Sequence, residues 1–273
     1  MIKVKNIIKK ALNLDEKVNV RVVNILQTHD FVPMHHFEDQ DVFIAGFPKS
    51  GNTWMQNLVT GILLDSTSYR ITPKLVNEIV PDVHAKQFYK RTYPVMVFKT
   101  HDLPNKKFKR VIHLVRDGRD AMLSYYKMEV NRDENYENSL KDMVIEGKGV
   151  YPSKWHAHTR AWIENKYNAE LITLKYEDLL NAPIDAMRQL CDFLNIEMSD
   201  KRLKAIYDAN QISVLRQKVT QYGWDYDYVY KNKSSESFFR KGTSGNYLNE
   251  MNKDLVSFFV NESKEELQHF SYI

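Results

Sequence analysis

The sequence predicts a P-loop-like three-layer α/β domain, a central parallel β-sheet flanked by helices. Three observations carry the prediction. Four apolar, β-rich runs are each followed by a turn and a helical pattern, and the first of them ends in glycines spaced G-x-x-x-x-G. No internal repeat and no Pro/Gly/Ser-rich linker divides the 273 residues, so a single domain, 1–273, is expected.

The runs are VFIAG (Val42 to Gly46), VMVFKT (Val95 to Thr100), RVIHLVR (Arg110 to Arg116) and AELITLKY (Ala169 to Tyr176). Their near-continuous apolar character fits strands covered on both faces, and ligands of such sheets bind beyond the carboxyl ends of the strands. Residues 1–40 read as an N-terminal helical, acceptor-side segment. Its basic start, MIKVKNIIKKALNL, has apolar residues at helical spacing interrupted by Lys3, Lys5, Lys9 and Lys10, a surface helix rather than a signal-peptide core. Two stretches fit the sheet poorly and are expected as loops over an acceptor site. Residues 127–155 are polar and acidic with a Gly-Lys-Gly turn, and residues 215–237 are dense in aromatics between Tyr222 and Tyr230.

Composition narrows the function. A net charge of +4 is too small to argue for nucleic acid, and no apolar run reaches the roughly 18–20 residues of a membrane span. The single cysteine, Cys191, lies in an apolar helical pattern and forbids an internal disulfide, which favours a cytoplasmic protein. Oligomeric state is left open.

Four motifs carry chemistry. In FPKSGNTW the first strand runs through Gly46 to Gly51, with Thr53 where a P-loop puts its hydroxyl. Asn52 stands where that loop has lysine, and the lysine sits three residues earlier, at Lys49. A helix opening at about Thr53 would present unpaired N–H groups to an anion, with the Ser50 and Thr53 hydroxyls as added donors. Asn52 argues against the magnesium-nucleotide chemistry of a kinase or NTPase, the competing catalytic class; a non-catalytic nucleotide-binding module is the other. FKTHDLP follows at a strand end, where Lys99 and His101 alternate with Phe98 and Thr100, and a histidine there can act as general base. In RVIHLVRDGRDAMLSYY, Arg116 ends a strand and Ser124 lies two helical turns on, close enough to meet one phosphate; Asp117, Arg119 and Asp120 could instead form only a capping and salt-bridge cluster. FFRKGTSGNY supplies two cations, Arg240 and Lys241, beside Gly242.

Together, in this order, the four motifs resemble the sulfotransferases that use 3′-phosphoadenosine 5′-phosphosulfate (PAPS). By that resemblance Lys49, Ser50, Gly51, Asn52 and Thr53 hold the 5′-phosphosulfate, with Lys49 near the bridging oxygen and Trp54 beside the adenine. Arg116, Ser124, Arg240, Lys241 and Gly242 grip the 3′-phosphate, and Tyr176 and Ser213 match adenine-side positions. His101 is the implied catalytic base and Lys99 a second active-site lysine. The implied reaction is metal-free sulfuryl transfer to a small-molecule acceptor, an alcohol or phenol before a carbohydrate hydroxyl or an amine, with 3′,5′-bisphosphoadenosine as product. His35, His36, Phe37, the stretch Pro81 to Ala85 and the aromatic segment Tyr222 to Tyr230 are candidates for the acceptor pocket. The family's G-D-W ending is Gly245, Asn246, Tyr247 here, and its dimerisation signature is not evident in the last residues.

Overall fold

In the computed structural model of the chain, residues 31–223 and 242–273 are described. The predicted runs form one four-stranded parallel sheet: β2 (Val42–Ala45), β4 (Val97–Thr100), β5 (Arg110–Val115) and β6 (Glu170–Lys175), ordered β4-β2-β5-β6. Two three-residue strands, β1 (Phe31–Pro33) and β3 (Phe88–Lys90), pair antiparallel in a separate ribbon.

Strand alternation explains why both faces of the sheet are covered. Val42, Ile44, Ile112 and Leu114 face one core, packed by α1 (Asn52–Leu63), α7 (Pro183–Leu194) and α8 (Asp200–Ala209) through residues such as Leu58, Leu190 and Leu203. Phe43, Phe98 and Val111 face the other, with Phe108 and with Trp162 of α5 (Trp155–Glu164). A third cluster, around Phe47, Met122, Trp155 and Phe259, ties α3 (Gly118–Arg132) to α11 (Lys253–Glu262). The remaining described helices are α2 (Pro73–Ile79), α4 (Leu140–Glu146), α6 (Tyr176–Asn181), α9 (Ile212–Tyr222), α10 (Tyr247–Glu250) and α12 (Lys264–His269).

Two expectations need adjusting. Residues 127–155 are not simply loop: 127–132 complete α3, and α4 starts at a capping box in which Ser139 and Asp142 satisfy each other's backbone N–H groups. Residues 215–222 are likewise helical, as the last turns of α9, whereas 224–237 lie outside the described residues, as do 1–30 of the N-terminal segment. No described helix is long and apolar enough to cross a membrane. Cys191 is a buried free thiol.

The parallel order has one consequence for function. All four strands end on the same edge, so Gly46, His101, Arg116 and Tyr176, the residues that directly follow them, converge there.

Candidate active site

The turn after β2 is built by two glycines that nothing larger could replace without movement. A Cβ on Gly46 would lie 2.5 Å from Asn52 Oδ1 and 2.6 Å from the Leu114 carbonyl oxygen. Gly51 has φ 99°, and a Cβ there would lie 2.8 Å from the Tyr176 ring. Lys49 also takes a left-handed φ of 69°, which gives the turn its reversal. Gly51 is the N-cap of α1, and no side chain caps that end. The first amides of this twelve-residue helix therefore have no side-chain cap among the described residues.

Each residue of the turn has a distinct setting. Asn52 is buried, and its amide donates to the carbonyls of Phe47 (3.0 Å) and Gly46 (3.3 Å), so its side chain braces the turn from within. Ser50 is fully buried, yet its hydroxyl has no partner among the described residues. Thr53 and Trp54 follow in the first turn of α1; Trp54 is buried edge-on to Tyr176 and donates from Nε1 to the Asn210 carbonyl (2.9 Å).

A second cluster of polar contacts assembles around Arg116. Its Nη1 donates to the Lys49 carbonyl and its Nη2 to that of Thr243, both at 3.1 Å, and its guanidinium lies 4.5 Å from the centre of the Tyr176 ring. The buried Arg116 Nε has no partner among the described residues. Asp120, fully buried in α3, lies 3.7 Å from Arg116 and accepts from the backbone N–H groups of Gly245 (2.6 Å) and Tyr247 (3.0 Å), which docks the segment after Gly242 onto this edge. Gly242 packs against Ile212, and Ser213 is the next residue, exposed in the first turn of α9. Ser124 is buried in the second turn of α3. Arg240 and Lys241 lie outside the described residues. Asp117 and Arg119, weighed as a capping cluster, are one: Asp117 caps α3 and pairs with Arg119 at 2.7 Å.

His101 follows β4 directly. Its Nδ1 lies 2.8 Å from the Gly46 carbonyl, which can only accept, so Nδ1 carries the proton and Nε2 keeps its lone pair. Burial, and then the charge of Lys99, push the imidazole far below its ordinary value, to about 3, against the opposing pull of Asp82. The ring is thus neutral at physiological pH. Lys99 is buried with its ammonium 2.6 Å from Asp82 Oδ2. Burial raises the Asp82 pKa, but the charges of Lys99 and His101 and the Lys99 hydrogen bond outweigh that and hold the carboxyl at about 2.

Sequence reasoning missed the groups behind this pair. Asp82 and His84 lay within the stretch Pro81 to Ala85 named for the acceptor pocket, but nothing local marked them as partners of Lys99 and His101. Asp102 accepts from the Tyr151 hydroxyl at 2.8 Å, and His158 Nε2 donates to the His101 carbonyl at 3.1 Å. His35, His36 and Phe37 are not among these contacts: Phe37 packs on Phe43 and Phe98 in the core, and His35 and His36 are exposed.

Fold and turn define a P-loop-like α/β protein with Gly46, His101, Arg116 and Tyr176 gathered at the carboxyl edge of its sheet. The chain belongs to the sulfotransferase domain family, whose model matches residues 39–271. It is an enzyme of that class. Sulfotransferase 1B1 of Mus musculus is 25% identical over 230 residues, covering 77% of this chain and 76% of the relative. The amine sulfotransferase of Oryctolagus cuniculus is 24% identical, covering 85% and 82%. Among solved structures, mouse sulfotransferase SULT7A1 complexed with PAP superposes with a TM-score of 0.65 at 16% identity, covering 85% of each chain.

Proposed function

We propose that the protein transfers a sulfuryl group from PAPS to the hydroxyl of a small-molecule alcohol or phenol, with His101 as general base. The observation that carries this reading is the bond from His101 Nδ1 to the Gly46 carbonyl: the candidate base is anchored to the first glycine of the anion-binding turn, with Nε2 left to accept a proton.

The residues present fit the donor. Ser50 Oγ and Arg116 Nε are buried polar atoms without partners among the described residues, one in each proposed grip, and a bound phosphate or sulfate oxygen would satisfy each. Ser50, Gly51, Asn52, Thr53 and the first amides of α1 would hold the 5′ side. Arg116, Ser124 and Gly242, with Arg240 and Lys241, would hold the 3′-phosphate, and Trp54, Tyr176 and Ser213 would flank the adenine. PAPS, when bound, supplies the sulfuryl group and a bisphosphate leaving group. His101 Nε2 takes the acceptor's hydroxyl proton as the oxygen–sulfur bond forms. Lys49 stabilises negative charge on the leaving side, and Lys99, its ammonium placed by Asp82, stabilises the transferring oxygens. The name of the Oryctolagus cuniculus relative, an amine sulfotransferase, is in keeping with a small organic acceptor and keeps an amine as the alternative, and no metal enters the scheme.

The test is transfer from labelled PAPS to a panel of phenols, alcohols, amines and sugars, with and without EDTA. Substitution His101→Ala should lower turnover at least about a hundredfold while 3′,5′-bisphosphoadenosine binds as in the wild type. Near-normal turnover by that variant would remove His101 as the base, and inhibition by EDTA would overturn the metal-free scheme.

A further inference from the structure

Behind the proposed base sits a second imidazole, His84, which the sequence placed only within the candidate acceptor stretch Pro81 to Ala85. Its Nε2 accepts the backbone N–H of His101 at 3.1 Å, and its ring stacks on the His101 ring with centroids 5.8 Å apart and planes 12° off parallel. Accepting that N–H requires a bare Nε2, so the neutral His84 ring is protonated at Nδ1. Its own position is fixed from several sides. Asp82 Oδ1 accepts from the His84 backbone N–H at 2.9 Å, and the Tyr151 ring packs edge-on at 5.6 Å. Thr100 Oγ1 and Asp102 Oδ1 lie 3.4 and 3.7 Å from Nε2.

The turn that carries His84 is itself zipped to β4. Lys99 N–H donates to the Pro81 carbonyl (2.9 Å), Val83 N–H donates to the Lys99 carbonyl (3.0 Å), and Asp82 N–H donates to Asn77 Oδ1 (3.0 Å). One short turn therefore sets two partners at once: the Lys99 ammonium through Asp82, and the His101 peptide and ring through His84.

We propose that His84 is the positioning residue of the His101 base, holding the ring in the orientation in which Nδ1 faces Gly46 and Nε2 faces the acceptor. The proposal rests on His101 being the base. With His158 Nε2 on the His101 carbonyl and His84 on its N–H, the main chain is gripped on both sides of the side chain, and the stacked His84 ring removes one face from rotation. Losing this support should leave donor binding untouched and degrade proton transfer, because small misplacements of a reacting group are costly in rate.

The test compares wild type, His84→Leu, His84→Gln and His101→Ala, each saturated with 3′,5′-bisphosphoadenosine. Nitrogen-15 imidazole spectra report the His101 tautomer, calorimetry reports bisphosphate affinity, and labelled PAPS with 2-naphthol as probe acceptor reports turnover. In wild type and in His84→Gln, whose amide oxygen can still accept the N–H, His101 should show the single Nδ1-protonated tautomer. His84→Leu should spread His101 over both tautomers and lower kcat about tenfold, with bisphosphate affinity within about twofold of wild type. An unchanged His101 spectrum in His84→Leu overturns the proposal, and so does a His84→Gln variant as perturbed as the leucine. If 2-naphthol is not turned over, the ring spectra decide alone. Turnover surviving in His101→Ala overturns the base reading beneath the proposal; a dead His101→Ala beside an unaffected His84→Leu overturns only the positioning role.

Discussion

Ser50 shows how the site departs from what stability alone would choose. A buried hydroxyl without a hydrogen-bond partner costs about 1–3 kcal/mol, and among the described residues Ser50 Oγ has none. Removing it should therefore act with opposite signs on folding and binding. Substitution Ser50→Ala is expected to leave the ligand-free melting temperature equal or raised, and to weaken 3′,5′-bisphosphoadenosine binding about tenfold, the loss of one charge-assisted bond. Thermal melts with and without the bisphosphate read both effects in one experiment. A variant that melts earlier when ligand-free, or binds as tightly as wild type, would show that Ser50 is satisfied within the protein.

At the scale of elements, the site depends on how the segment after Gly242 is docked. Asp120 receives the N–H groups of Gly245 and Tyr247, and Arg116, whose Nη2 holds the Thr243 carbonyl, lies beside the carboxylate. Asp120 therefore joins the strand-end arginine to the segment that follows Arg240 and Lys241. Substitution Asp120→Ala is expected to weaken bisphosphate binding by more than tenfold while circular dichroism stays native; unchanged affinity would mean the docking has no bearing on the second grip. The four strands of the main sheet were legible because apolar, β-rich residues dominate them, and the turn was legible because Gly46 and Gly51 stand at a fixed spacing. The ribbon of β1 and β3 was not, since three residues are too short to show a period. Nor was α4, hidden by polar composition, although Ser139 and Asp142 hold the capping pair that marks its start. The Asp82–Lys99 and His84–His101 contacts join positions 17 residues apart, and only folding brings them together. For the same reason the contiguous motifs were legible as candidate sites, whereas Asp82 and His84 were not marked as partners of Lys99 and His101, which they meet across segments.

Over the whole molecule, buried neutral imidazoles make the fold acid-sensitive. His113, in the middle of β5 against Trp162, is held down to about 3 by burial first and then by His158 and His269; His158, fully buried beside Phe47, is held down to about 4 by burial. In the unfolded chain both would bind protons near the ordinary histidine value of about 6.5. Between that value and about 4 the unfolded state carries more protons than the native one, so stability falls as pH falls, by about 1.4 kcal/mol per pH unit for each such group. Above about pH 7 both rings are neutral in either state, and their contribution is fully present. Glu129 and Glu177, whose pKa values burial raises, oppose this trend, because protonated carboxyls are tolerated in the native state. Asp82, held at about 2, adds to the acid loss only below the ordinary carboxylate range. The expected net decline is about 1–3 kcal/mol per pH unit from pH 6 towards 4.5, measured as urea midpoints across that range. Substitution His113→Gln should flatten the slope by removing one proton uptake from those of His113, His158 and His101, the last likewise held at about 3. Stability that stays level from pH 7 to 5, or an unchanged slope in that variant, would mean that these histidines are already protonated in the native core.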